Sequence, residues 1–184
     1  MRLPTLIAGI LAMCSAHAAA GSPMAERSPF LSLDCVFASP ERPELRQQLS
    51  FFLFDDDITV DQFSSVEGPE ILEGVSVIST LYSSDGGVTD YFFGIFVESP
   101  KSYDVEFVSS SRVRGDGSLG IVPNPMAPDI ELDRMTGEAR MKVGDPNAPK
   151  GQCEKTPSGF EEVARQYDAL VSSSVQEFEK GQKF

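Results

Sequence analysis

The stretch DIELDRMTGEARMKVGDPNAPKGQCEK, residues 129–155, contains the pattern that decides the fold. Apolar residues alternate with polar ones on both sides of the turn Met135-Thr136-Gly137, and this arrangement predicts a β-hairpin. A short last strand then carries Cys153. The first predicted strand, LSLDCVF at 31–37, carries Cys35. The sequence therefore places one cysteine near each end of a β-rich body.

Between these strands the chain repeats short apolar or alternating runs, at 46–54, 58–65, 75–82, 88–97, 103–113 and 119–122. In this interpretation Asp55-Asp56-Asp57 is a hairpin turn, and residues 67–74 form a loop. The Pro-rich segment 123–128 is expected to be an extended loop. About eight to ten short strands with turn residues roughly every ten positions predict an antiparallel β-barrel or sandwich.

The last part of the chain changes period. Apolar residues from Phe160 to Phe178 recur at i, i+3, i+4 and i+7, which predicts one C-terminal amphipathic helix. Ser158 and Glu161 match a capping box at its start. The apolar stripe is expected to pack on the outside of the protein's own sheet, and docking to another chain is the alternative.

The N-terminus has the layout of a secretory signal peptide: a basic start, an apolar run and the small residues Ala16 and Ala18 around the expected cleavage site. Cleavage after Ala20 is an alternative, and Cys14 allows a lipoprotein interpretation. The expected division is a signal peptide at 1–18, a flexible leader at 19–29, a β-domain at 30–155 and a helix at 156–184. This predicts a periplasmic or secreted protein with no stable membrane insertion after cleavage.

Cysteine and histidine usage limits the chemistry. Cys35 and Cys153 remain after signal cleavage, and an exported compartment favours a disulfide between them. The single histidine, His17, lies in the predicted signal peptide. Catalysis by Ser-His-Asp or Cys-His groups and histidine-ligated metal sites are thereby excluded in the mature chain. We predict no catalytic residues, no metal site and no cofactor.

The formal net charge is −13, and residues 55–106 contain twelve acids and a single base, Lys101. This balance disfavours nucleic acid, because a phosphate backbone requires clustered Lys and Arg. A basic protein is the possible partner, and Asp55, Asp56, Asp57 and Asp61 form the possible acidic binding face. Calcium is a weaker alternative, since the spacing of an EF-hand loop is absent. The serine runs at 109–111 and 172–174 are expected at the surface.

Two resemblances follow from these motifs. With Asp133-Arg134-Met135-Thr136-Gly137 and the closing Gly151-Gln152-Cys153, the chain resembles small uncharacterised exported proteins of Gram-negative bacteria. That resemblance implies a periplasmic β-fold and no particular activity. The body plan is also similar to periplasmic inhibitors of C-type lysozymes, which are small β-barrels with a terminal disulfide. Their Ser-Gly inhibitory loop is absent here, and 135–138 is the nearest match.

The resulting functional hypothesis is a non-enzymatic exported β-domain that acts by surface or protein binding. An inhibitor or binder of a basic secreted hydrolase is the first alternative. A carboxylate-based hydrolase is the second, and it requires two acids facing each other across a cleft.

Overall fold

The computed structural model of the chain describes residues 23–38, 41–44, 46–122, 129–142, 148–156 and 159–181. The elements in these ranges are a 3₁₀ turn at Met24–Glu26, strands β1 Leu31–Ala38, β2 Arg46–Ser64, β3 Gly68–Tyr82, β4 Val88–Glu98, β5 Ser102–Val113, β6 Leu119–Val122, β7 Ile130–Asp133, β8 Glu138–Met141 and β9 Lys150–Lys155, and helix α1 Phe160–Gly181. The predicted signal peptide, the segment 123–128 and the Ser158 cap lie outside the described residues.

Eight of the strands close into an antiparallel barrel in the order β4-β3-β2-β1-β9-β8-β7-β5, and pairing between β4 and β5 completes the ring. The ninth strand, β6, pairs with the second half of β5, while the first half of β5 pairs with β7. The predicted fold class is confirmed, and of its two alternatives the barrel is correct. Closure pairs most strand edges, which limits edge-to-edge association to the segments that extend beyond the ring.

A disulfide joins β1, the first strand of the barrel in the sequence, to β9, the last. Cys35 and Cys153 lie directly opposite each other in the antiparallel ladder, with a Cα–Cα distance of 4.0 Å and a sequence separation of 118 residues. Both residues are buried. The pairing predicted from the cysteine count is confirmed. Closing a loop of this length stabilises the fold by about 4–5 kcal/mol in the chain-entropy model.

The inside of the barrel is filled by side chains. Phe37, Phe51, Leu53 and Val77 are almost completely buried there, together with the disulfide. Small eight-stranded barrels have interiors that side chains fill. The space left open in this barrel therefore lies toward its ends.

Helix α1 packs on the outside of its own barrel. In β2 the side chains alternate, so Phe51 and Leu53 point inward while Phe52 and Phe54 contact Phe160 of the helix at ring distances of 5.0 and 5.2 Å. The C-terminal helix prediction is confirmed, and its apolar stripe is buried within the same chain.

The described part of the predicted flexible leader is packed. Met24 is buried against the helix, and the backbone N–H groups of Met24 and Ala25 donate to the Asp168 carboxylate at 3.1 and 3.0 Å. The leader sequence shows no periodicity because a single 3₁₀ turn is too short to have one.

The strand boundaries predicted for 55–74 are wrong. Strand β2 continues through Asp55-Asp56-Asp57, and β3 begins at Gly68, so the turn of this hairpin is Ser65-Val66-Glu67. The register shifts between the pairs Leu53–Val77 and Ile58–Val75, where β2 contains more residues than β3. Such a bulge bends a strand and leaves the extra residues unpaired. Three consecutive aspartates are also typical of a turn, so the sequence pattern did not distinguish this bulge from the end of a strand.

Candidate functional site

The outer part of the β2–β3 hairpin, residues 55–74, is the most acidic segment of the described structure, and we call it the acidic arm. It contains seven carboxylates and no Lys, Arg or His: Asp55, Asp56, Asp57, Asp61, Glu67, Glu70 and Glu73. At the tip, Val66 is 85% exposed, and Ile71 on β3 is 49% exposed. The arm thus presents two apolar side chains among negative charges.

One face of the arm is anchored to the rest of the molecule. The Phe63 ring packs edge-on against Phe178 of the helix at 5.7 Å. Gly68 has φ +90°, and a Cβ there would lie 3.1 Å from the Phe178 ring, so both the turn geometry and the close contact require glycine. Gln62 and Ser109 are buried and exchange two side-chain hydrogen bonds of 3.0 and 3.1 Å. The arm is therefore held in position on the barrel and helix.

One of the two serine runs predicted at the surface, 109–111, contributes Ser109 to this anchor. Ser109, Ser110 and Ser111 are buried. Ser109 contacts the arm, and the Ser111 hydroxyl lies 3.3 Å from the Tyr167 hydroxyl. The β4–β5 register shifts just before this run, between the pairs Gly94–Phe107 and Phe93–Ser109. A bulge of this kind changes which residues face inward, and the serine sequence gives no signal of it.

Ser174 on the helix is also buried, and its hydroxyl accepts a hydrogen bond of 3.1 Å from the Leu119 N–H. The prediction that the run at 172–174 is a surface feature is thus wrong for this residue. Its burial is compensated because it satisfies a backbone donor of β6.

The four predicted acidic site residues do not share one environment. Asp55, Asp56 and Asp57 are adjacent and exposed in the β2 bulge. Asp61 is half-buried, and its negative charge is close enough to Tyr167 to contribute to the raised pKa of that hydroxyl, for which burial is the largest cause. The structure therefore brings three of the four aspartates together at the surface and places Asp61 nearer the helix.

Carboxylates are also crowded at the end of the arm. The pKa of Glu70 is raised by partial burial, by a hydrogen bond with Glu67 and by the charge of Glu67. Two acids that share a hydrogen bond and repel each other bind a proton more readily than isolated ones. This crowding is relieved when a positive charge approaches.

Outside the arm, three of the five carboxylates in 55–106 pair with bases that lie beyond this segment. Arg112 pairs with Asp90, Arg134 with Glu98, and Lys142 with Asp104. In the arm, by contrast, six carboxylates form no ion pair with any described residue: Asp55, Asp56, Asp57, Glu67, Glu70 and Glu73. The negative charge counted over 55–106 is therefore concentrated on the arm in the folded protein.

A second feature lies at the barrel end that contains the β7–β8 turn, where a cavity of about 330 Å³ opens to solvent. We call it the mouth cavity. Its lining is mostly apolar and aromatic, with three charged residues: Phe30, Leu31, Leu33, Tyr103, Leu132, Asp133, Arg134, Gly137, Cys153 and Lys155.

The β7–β8 turn beside this cavity is rigidly organised. The Asp133 carboxylate accepts hydrogen bonds from the N–H groups of Met135 and Thr136, both at 2.8 Å, and these bonds lower the Asp133 pKa. Gly137 has φ +71°, and its carbonyl accepts a hydrogen bond from the Cys153 N–H at 2.8 Å. Met135 is 81% exposed at the tip. The segment 135–138, whose sequence is the nearest match to the inhibitory loop, is thus a hydrogen-bonded turn that projects from the barrel.

The positive charges at the mouth differ in their contacts. The Arg134 guanidinium lies 4.7 Å from the centre of the Tyr103 ring, pairs with Glu98 and donates to the Ser99 carbonyl at 2.8 Å. Lys155 forms no ion pair with a described residue. Of the two cations at this rim, Lys155 is therefore the one without an ion pair among the described residues.

Other site types find no support in the described ranges. No group of three or more His, Cys, Asp or Glu residues there is placed to hold a metal ion. Asp133 is the one carboxylate among the described residues that line the mouth cavity, and it is bonded to its own turn, so no facing pair of acids occurs there. No helix in the described part of the chain is long and apolar enough to cross a membrane.

No protein-family model, curated protein or solved structure matches the chain in sequence or structure comparisons.

Proposed function

We propose that the protein is a non-catalytic exported binding domain whose acidic arm binds a basic protein. The observation that carries this proposal is the set of six carboxylates on an anchored hairpin that no described base neutralises. The predicted signal peptide and the Cys35–Cys153 disulfide support an exported setting, because disulfides persist in oxidising compartments.

Electrostatics explains how such a surface acts. Clustered charges of one sign accelerate association with a partner of opposite sign and suppress association with similar surfaces. Because the arm is anchored through Phe63 and Gln62, a partner does not have to order it on binding. Val66 and Ile71 supply apolar contact area within the charged surface.

The backbone of the arm offers a further contact. Strand β4 pairs with β3 from Val77 to Tyr82, whereas residues 68–72 of β3 pair with β2 alone among the described strands. An unpaired edge accepts a strand from another protein. The flanking acids disfavour a second copy of this chain at that edge and favour a strand that carries Lys or Arg.

The test uses a C-type lysozyme as a basic secreted probe and measures its dissociation constant by calorimetry at low ionic strength. The triple variant D55N/D56N/D57N is compared with E41Q/E44Q/E154Q, which removes the same charge from exposed positions before β2 and on β9. We expect the arm variant to bind about 3- to 30-fold more weakly and the control to change binding less than twofold. Equal effects of the two variants, or no binding by the wild type, would refute the proposal.

A narrower form of this function is inhibition of the basic hydrolase, and the fixed turn with exposed Met135 is the observation that favours it. Pre-organised loops bind with little loss of conformational entropy. Under this hypothesis the protein inhibits lysozyme in a turbidity assay, and Met135→Ala reduces the inhibition without changing the melting temperature. Binding without inhibition would restrict the function to that of a binder.

A further inference from the structure

The mouth cavity has the properties of a small-molecule site that the acidic arm does not use. Its volume of about 330 Å³ falls at the lower end of the range for ligand pockets, about 300–1,000 Å³. Leu31, Leu33 and Leu132 provide an apolar lining. The ring of Phe30, which is 42% exposed, packs 6.2 Å from Tyr103 and forms an aromatic side of the opening. Apolar surface left open to water in this way gains free energy when a hydrocarbon group covers it.

The charges at the opening indicate which kind of apolar ligand fits. Asp133 uses its carboxylate to bind the Met135 and Thr136 amides, and Arg134 is held by Glu98 and the Tyr103 ring. Lys155 keeps an ammonium group with no ion pair among the described residues. The rim therefore has a cation that is free to pair with a ligand, while its one carboxylate, Asp133, is directed at backbone amides of the turn. An apolar pocket of this kind is complementary to a ligand that has a hydrocarbon body and one negative end.

We propose that the mouth cavity binds a small aliphatic carboxylate, with its chain against the three leucines and its carboxylate at Lys155. The chain displaces water from the apolar lining, and the carboxylate accepts a charge-assisted hydrogen bond from the ammonium group. This site is at the disulfide end of the barrel and does not depend on the proposed function of the arm.

Binding is tested with decanoate on the full mature protein, by calorimetry and by protein-detected NMR titration. Lys155→Gln is compared with Lys150→Gln, a control at the opposite end of the same strand. We expect Lys155→Gln to weaken decanoate binding about five- to tenfold and Lys150→Gln to leave it unchanged. Decanol has the same chain without the charge. We expect it to bind more weakly than decanoate and to bind both lysine variants with equal affinity.

A second variant, Leu33→Trp, fills the cavity and is expected to abolish binding of both decanoate and decanol while the melting transition remains cooperative. If this variant does not fold, the comparison of the two lysine variants still decides the question. Absence of saturable decanoate binding at millimolar concentration, or equal effects of the two lysine substitutions, would overturn the proposal. Tighter binding of a peptide with a C-terminal leucine would also overturn it, because the ligand would then be a protein terminus.

Discussion

Replacing Tyr167 by alanine tests how much the docked helix contributes to the stability of the barrel. Tyr167 is buried, and its ring lies 4.7 Å from the Tyr91 ring and 5.4 Å from the Phe93 ring. Truncating a buried aromatic residue to alanine costs about 3–5 kcal/mol, which includes the cavity that it leaves. The two aromatic pairs, each worth about 0.5–1.5 kcal/mol, place the expected loss in the upper part of that range. We therefore expect a loss of about 4–5 kcal/mol, a large part of the total of about 5–15 kcal/mol for a domain.

Urea unfolding monitored by circular dichroism measures this loss, and Tyr167→Phe is the matched control. Phenylalanine keeps the ring and removes the hydroxyl that contacts Ser111 at 3.3 Å, so a loss of about 0.5–1.5 kcal/mol is expected. A loss below about 1 kcal/mol for Tyr167→Ala would refute the reasoning, because it would mean that the helix is not packed on β4 as described.

Three further predictions concern the barrel itself. The double variant C35A/C153A is expected to lose about 4–5 kcal/mol in urea unfolding without reductant, because the unfolded chain gains the freedom of a loop spanning 118 residues. Gly94→Ala is expected to lose about 3 kcal/mol or more by the same assay, because the added Cβ would lie 2.1 Å from the Glu106 carbonyl oxygen. Asp133 has a lowered pKa, so its ionised form stabilises the fold at neutral pH, and this contribution is lost as the pH falls below the ordinary value of 3.8. As the pH falls below about 4, Asp133→Asn is therefore expected to lose less stability than the wild type in urea titrations.

Each of these predictions has its own control. Added reductant is expected to lower the stability of the wild type and to leave C35A/C153A unchanged. Gly115→Ala, at a position with no atom within 4 Å of the added Cβ, is expected to be nearly neutral, and an equal loss at both glycines would contradict the steric argument. If Asp133→Asn has the same acid dependence as the wild type, the hydrogen bonds in the β7–β8 turn do not stabilise the carboxylate.

Local periodicity was sufficient to predict an antiparallel β-fold with one C-terminal helix, but it did not distinguish a barrel from a sandwich. Alternation in strands such as β4 and the helical period from Phe160 to Phe178 report which face is buried, and burial is what the sequence pattern encodes. The disulfide followed from the cysteine count and the expected compartment, since Cys35 and Cys153 were the two cysteines left. These inferences need no knowledge of how distant elements meet.

The acidic arm was misjudged because its shape depends on a bulge. Residues 55–57 are acidic, and 67–74 combines acids with Gly68 and Pro69, so both segments have the composition of a turn or loop. Asp55-Asp56-Asp57 are exposed, as expected. However, β2 continues past them because its residues from Ile58 onward pair with β3, beginning with the pair Ile58–Val75. Such pairing depends on the positions of two strands in space, which the local sequence of one strand does not specify.

The mouth cavity was not predicted at all. Its lining combines Phe30, Leu31 and Leu33 from the start of β1 with Tyr103 on β5 and Lys155 on β9. Barrel closure brings these distant segments to one end, and no short motif marks them. The apolar residues had the pattern of ordinary core positions, which is a correct interpretation of each residue taken alone.

Carbodiimide cross-linking with mass spectrometry tests the central claim most directly, because it joins a carboxylate to a lysine only where the two are in contact. With a C-type lysozyme as the basic partner at low ionic strength, we predict cross-links from lysozyme lysines to Asp55, Asp56, Asp57, Glu67, Glu70 or Glu73, and their loss at high salt. Cross-links confined to Glu177 and Glu179 on the helix, or a pattern that does not change with salt, would contradict the assignment of the arm as the binding surface.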